Sequence, residues 1–292
     1  MLNRLLTRLR PRKDIYETIG RHQIRLPRHS EKLNIKQAFR LYDTALGLVA
    51  SLTKSKYPGL CAIDIGANVG DTAALIRRDS DIPVLCVEGD AQLLPLLREN
   101  LDNLGPESEI EPTFVGRRGV YIDSSLIDDP GRNASLIGAV RPWATTALRT
   151  LDEILSDHPR FSASKLLKTD TEGFDFEIIH ESLGFIKRAK PVLFFEYDPH
   201  FCPEDPDAGL ATIRLLVGAG YRRFAYYDNF GNYLTDIDSQ DQGRFEDLDH
   251  YLHSNRLYGT AIYYFDICAF HGDDVDLADE LRARSQTGRQ LR

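Results

Sequence analysis

Eleven consecutive residues, 62–72, constrain this chain more than any other stretch. In AIDIGANVGDT an apolar run carries one acid, Asp64, and a glycine-rich turn follows and opens a helical pattern. An apolar extended segment that turns directly into a helix reads as a strand of a parallel sheet with helices on its faces. In such sheets a ligand meets the carboxyl ends of the strands, where this turn lies. Gly66 and Gly70 allow close backbone approach, and Asn68 is among the few side chains that accept positive φ. Amides at the helix start add donors. A tight turn that binds nothing fits the same residues.

The rest of the chain extends the pattern. Short apolar runs at 61–66, 84–88, 110–115, 166–170, 192–197, 223–227 and 262–269 alternate with helical stretches at 72–78, 91–104, 174–183 and 210–217. Strand–helix alternation predicts an α/β, doubly wound, mostly parallel sheet. The turn signal DNFGN at 228–232 predicts a hairpin that places an antiparallel strand at one end of the sheet. A helix-like piece at 245–252 precedes the final strand. Residues 117–147 fit neither period and read as an inserted segment on the acceptor side, carrying the unused glycosylation pattern Asn133-Ala134-Ser135. Before the sheet, residues 15–26 suggest one or two short strands around Gly20. Ile35, Phe39, Tyr42, Leu46 and Val49 then recur at 4-3-4-3 spacing, which predicts one amphipathic helix. The expected organisation is a basic arm and helix at 1–59, the main domain at 60–275 and a loose polar tail at 276–292.

Charge and cysteine usage narrow the classes. Residues 1–60 carry 13 basic and 4 acidic side chains, whereas 61–292 carry 23 and 40, a balance of −17. The main body repels nucleic-acid phosphates and suits a cationic ligand. Leu2, Leu5, Leu6 and Leu9 share a helical face beside Arg4 and Arg8, until Pro11. Residues 1–13 therefore read as an interfacial anchor on anionic lipid, as a targeting presequence, or as a short helix docked on its own domain. Arginine interrupts the apolar stretch, so it is no secretory signal. Cys61, Cys86, Cys202 and Cys268 form no Cys-x-x-Cys, which points to free thiols in a reducing, cytoplasmic setting and gives no zinc site.

The second strand, VLCVEGD, ends at Glu88, 24 residues after Asp64. In a nucleotide-binding half an acid there accepts from ribose hydroxyls; a plain surface acid is the alternative. A dinucleotide would need a small residue beside its pyrophosphate, and Asp71 stands there. A carboxylate next to pyrophosphate costs several kcal/mol at reduced dielectric. S-adenosylmethionine has no phosphate, and its sulfonium and ammonium are charges that Asp64 and Asp71 favour.

IDIGANVGDT, VEGD, the LDEIL segment at 151–155, LLKTDTEGFDFEII and PVLFFEYD occur in the order found in FkbM-type S-adenosylmethionine-dependent methyltransferases. The chain resembles that family from residue 60 to residue 198, and more weakly to the final strand. The resemblance implies a seven-stranded sheet, O-methylation of hydroxyls on sugars or polyketides in surface-glycan or natural-product pathways, and cofactor contacts at Asp64, Gly66, Asn68, Gly70 and Glu88. The third strand is followed by Gly116-Arg117-Arg118 in place of an adenine-reading acid or amide. The fourth strand ends at Asp170, with Glu172 two residues on and facing the same way if the chain stays extended. An aliphatic hydroxyl benefits from a general base, which Asp170 would supply; a helix cap is its other reading, and a structural acid that of Glu172. Glu196 and His200 follow the fifth strand as second candidates, His200 also reading as a surface histidine. The expected function is O-methyl transfer to a glycan or small-molecule hydroxyl. A nucleic-acid methyltransferase and a non-catalytic nucleoside-binding scaffold are the alternatives.

Overall fold

A computed structural model describes residues 15–27, 32–118, 121–123, 145–171, 173–202, 205–259 and 261–290. Two short strands, β1 (Ile15–Ile19) and β2 (His22–Leu26), pair antiparallel across the turn at Gly20, followed by α1 (Lys32–Ala38) and α2 (Thr44–Lys56). The single helix expected across 35–49 is therefore two helices. The first ends at Ala38; Asp43, left-handed at φ 60°, stands at the cap position of the second, and Phe39 between them stacks on Phe230 with ring centroids 4.1 Å apart. The apolar period crosses the break because its two halves meet different partners.

The central elements follow in order: β3 (Ala62–Ile65), α3 (Asp71–Ile76), β4 (Val84–Val87), α4 (Leu94–Leu104), β5 (Ser108–Glu111), the small pair β6 (Tyr121–Asp123) and β7 (Thr145–Ala147), α5 (Leu151–Asp157), β8 (Leu166–Thr169), α6 (Asp175–Glu181), α7 (Leu183–Ala189) and β9 (Val192–Tyr197). The chain continues with α8 (Ala208–Gly218), β10 (Tyr221–Asp228), β11 (Tyr233–Asp238), α9 (Gln242–Tyr258), β12 (Phe265–His271) and α10 (Val275–Gln290). One sheet runs β11-β10-β12-β9-β8-β3-β4-β5. Strands β3, β4, β5, β8 and β9 are parallel; β12 runs against both β9 and β10, and β11 against β10. The sheet has eight strands where seven were expected. The extra one is β11, the hairpin strand signalled by residues 228–232, where the Asp228 carboxylate accepts from the Phe230 and Asn232 amides at 3.0 and 2.9 Å.

Helices cover both faces. Leu46 of α2, Leu97 of α4 and Leu281 of α10 are buried on one side; Ile154 of α5, Phe185 of α7, Ile213 of α8 and Leu252 of α9 are buried on the other. Residues 276–290 were expected as a loose tail. They belong to α10, because Leu277, Ala278 and Leu281 recur at helical spacing and bury against the sheet. The hairpin is no separate arm either. Asn100 of α4, fully buried, accepts from the Arg25 amide at 2.8 Å and donates to the carbonyls of Arg25 and Val69 at 2.8 and 2.7 Å. Residues 1–14 and 124–144, which hold the lipid-anchor segment and Asn133–Ser135, lie outside the described residues. Among the described residues no helix is long and apolar enough to cross a membrane. All four cysteines are free, with Cys86 and Cys268 buried.

Candidate active site

Sheet register builds the site. Asp64 lies opposite Cys86 and Lys168, Lys168 opposite Phe194, and Phe194 opposite Cys268, so these side chains share a face. Two residues on, where the parallel strands end, the same face carries Glu88, Gly66, Asp170 and Glu196, with Asp266 paired to Glu196.

On the β3–β4 side the polar groups are internally matched. Asp64 is fully buried; it accepts from Thr72 Oγ1 at 2.6 Å and pairs with Lys168 Nζ at 3.1 Å. Burial pushes its pKa up, and Lys168 and Thr72 pull against that. Glu88 is 8% exposed and accepts from the Asn68 and Asp90 amides, both at 2.8 Å, which ties the two strand-end loops together. Burial raises its pKa as well, against the pull of those amides. Asn68 stands at φ 50°, as its residue type allows. Gly66, at φ 73°, has no room for a Cβ, which would collide with the Asp170 carbonyl oxygen. Gly70 stands at φ 86°, and a Cβ there would meet Leu101 and Leu97 of α4 at 2.8 and 3.0 Å, so a glycine is needed for helix packing at this turn. Asp71 is buried in the first turn of α3, its charge facing Asp64 and Lys168. Asp64 thus already has a counter-ion in the Lys168 ammonium.

Lys168 is 2% exposed. Its Nζ donates to the Gly66 carbonyl at 3.0 Å, approaches that of Ile65 at 3.4 Å, and lies 3.7 Å from Asp170 Oδ2. Burial disfavours its charge, but Asp64 and then Asp170 outweigh burial and hold its pKa above the usual lysine value. The side chain of Asp170 is 52% exposed at the end of β8. It is no helix cap, because Phe174 occupies the cap position of α6, without a side-chain bond.

Asp170 faces other acids. Asp175, buried at the start of α6, accepts from the Thr171 amide and hydroxyl at 3.2 and 3.1 Å. Burial, and then the Asp170 charge, raise its pKa to about 6. The same two causes push Asp266 well above the carboxylate range. Glu172, expected to be the close neighbour of Asp170, lies outside the described residues. Glu196 joins Asp170 on the row, half-buried, opposite Asp266. His200 is directed elsewhere. Its Nδ1 lies 2.9 Å from Asp198 Oδ1 and its ring meets that of His253 on α9 edge-on at 5.1 Å. Helix α9 packs on the opposite sheet face from Asp64 and Lys168.

The family model of the methyltransferase FkbM domain matches residues 64–223, more than half of the 292. The chain belongs to the FkbM methyltransferase family. Among solved structures it is similar to the methyltransferase FkbM of Methylobacillus flagellatus KT, with 19% identity, a TM-score of 0.41, and coverage of 56% of this chain and 39% of that one. This chain thus spans well under half of that protein. It is also similar to precorrin-6y C5,15-methyltransferase from Geobacter metallireducens GS-15, with 13% identity, a TM-score of 0.38 and coverage of 76% and 87%. A third is the Pyrococcus abyssi tRNA (uracil-54, C5)-methyltransferase, solved with S-adenosyl-L-homocysteine, with 11% identity, a TM-score of 0.39 and coverage of 88% and 44%. No curated protein matches the chain.

The sequence alone left four residues around this cleft unassigned. Lys168 interrupts the apolar run LLKT, and a cation inside a buried strand signals an internal partner. Asp266 interrupts YYFDIC in the same way. Asp175 gave no signal, since an acid in the first turn of a helix is ordinary. Phe114 is half-buried with its ring over Gly89, where a Cβ would collide with it, just beyond Glu88.

Proposed function

We propose that this FkbM domain is an S-adenosyl-L-methionine-dependent O-methyltransferase acting in the cytoplasm on a hydroxyl of a sugar, glycan or natural-product acceptor. The observation that carries the reading is the row Glu88, Gly66, Asp170, Glu196 at the strand ends. It sets a glycine turn beside a buried acid at one end and an exposed carboxylate, Asp170, beside the half-buried Glu196 at the other. Family membership supports methyl transfer as the chemistry.

The residues present fit the cofactor. Each Glu88 oxygen has given one lone-pair direction to an amide, which leaves the other for a ribose hydroxyl. Gly66 and Asn68 shape the turn, Asp64 and Asp71 support it from beneath, and Phe114 offers an apolar wall beyond Glu88. When bound, S-adenosyl-L-methionine supplies an electrophilic methyl group. Asp170 would orient the acceptor hydroxyl and take its proton as the oxygen becomes nucleophilic. Glu196 is the second base on the same face; His200, engaged by Asp198 and His253, is not placed for the role. The −17 balance of residues 61–292 disfavours a nucleic-acid acceptor.

Calorimetry with S-adenosylhomocysteine and with NAD tests the cofactor reading. Binding of the first and none of the second is expected. NAD binding without a response to S-adenosylhomocysteine overturns it.

A further inference from the structure

We infer that Lys168 is a positioning residue that couples the two halves of the cleft, holding the Gly66 turn on one side and the Asp170 carboxylate on the other. The inference builds on the cofactor and base assignments above. An ammonium has three protons. Three acceptors surround Nζ closely: Asp64 Oδ1 at 3.1 Å, the Gly66 carbonyl at 3.0 Å and the Ile65 carbonyl at 3.4 Å. Asp170 Oδ2, at 3.7 Å, is the fourth neighbour. Its attraction is mainly Coulombic, so its lone pairs stay open for a hydroxyl. A counter-ion for Asp64 alone would need none of the other three contacts.

The Gly66 carbonyl also explains the lysine. Gly66 is left-handed, and a Cβ there would meet the Asp170 carbonyl oxygen at 2.1 Å and Thr171 at 3.1 Å. The loops after β3 and β8 thus approach closely, and the ammonium is bonded to one loop and attracts the other. Asp170 is faced by Lys168 from its own strand, Asp175 from α6, Asp266 from β12 and Tyr264 just before β12. Lys168 is the cation of that set.

Carbon-13 titration of the Asp170 carboxyl and calorimetry with S-adenosylhomocysteine test the coupling in the full chain. Lys168→Met leaves Asp64 buried and unmatched, so the informative pair is Asp64→Asn against Asp64→Asn/Lys168→Met. Removing Lys168 from that background should move the Asp170 midpoint upward by about 1 pH unit or more, the usual effect of losing an adjacent opposite charge. S-adenosylhomocysteine affinity should fall by about tenfold, on the scale of one lost hydrogen bond to a charged donor. In the wild type, the nitrogen-15 signal of the Lys168 ammonium should step as Asp170 titrates and lose that step in Asp170→Asn, a readout that needs no lysine variant. Equal midpoints and equal affinities in the two Asp64→Asn proteins, or no step in the wild type, overturn the inference and leave Lys168 as a counter-ion for Asp64. A wild type that binds no S-adenosylhomocysteine overturns the cofactor reading instead, and the Asp170 titration still decides the coupling to the base.

Discussion

Asp64 and Glu88, at the ends of β3 and β4, find their partners inside the protein, whereas Asp170 after β8, Asp175 at the start of α6 and Asp266 in β12 face one another. Asp64 has Thr72 and Lys168, and Glu88 has two backbone amides. On the other side, burial and then the Asp170 charge raise the pKa of both Asp175 and Asp266. The first half is a settled socket whose shape needs no ligand. The second carries surplus negative charge that protons or an incoming group relieve, which is the condition of a site that handles protons.

Mutations sharpen that contrast in decreasing order. Asp170→Asn keeps the shape and removes the base, so single-turnover transfer to a surrogate hydroxyl should fall about 10²–10⁴-fold. Affinity for S-adenosylhomocysteine should change far less. Near-wild-type transfer would promote Glu196. Asp64→Ala should break the socket, because it strands the Lys168 ammonium at 2% exposure. Urea unfolding should register a loss of about 3–5 kcal/mol, and a loss below about 1 kcal/mol would show the pair to be unimportant for folding. Glu88→Ala should weaken S-adenosylhomocysteine binding by about 1.5–3 kcal/mol, read by calorimetry. It should also lower stability, since the Asn68 and Asp90 amides lose their acceptor. Unchanged affinity would place the ribose elsewhere.

The smallest effect concerns pH. Burial and Asp170 raise Asp175 from 3.8 to about 6, so the folded protein keeps this proton where the unfolded chain releases it. The resulting stabilisation is complete below about pH 4 and is lost as pH rises through about 6. Asp175→Asn should flatten that decline in a series of melting temperatures across the window. An identical slope in the variant would assign the decline to Asp64, Glu88 and Asp266, whose pKa values are raised in the same direction.

What was legible follows the same division. The socket is local in sequence: Asp64, Gly66, Asn68 and Asp71 lie within eight residues, and Glu88 ends the next strand, so period and residue type bring them to one loop pair. The carboxylate cluster is assembled from distant pieces, with Asp170, Glu196 and Asp266 brought together only by the order β8-β9-β12. No local pattern reports that an antiparallel strand returns next to β9. The break after Ala38 was equally silent, because a helical period says which face is apolar but not whether one helix carries it. Helix α10 looked like a tail because its apolar residues are few, although they are correctly spaced.

The place of β12 in the sheet has a consequence for how the protein is made. Strands β3, β4, β5, β8 and β9 are adjacent in the sheet and are all translated before β10, β11 and β12. Strands β10 and β11 are translated before β12 yet join the sheet only through it. A nascent chain stalled in the α9 region therefore displays an open β9 edge beside a detached hairpin, a form prone to strand-to-strand association. The strand that joins the hairpin to β9 is thus the last one made.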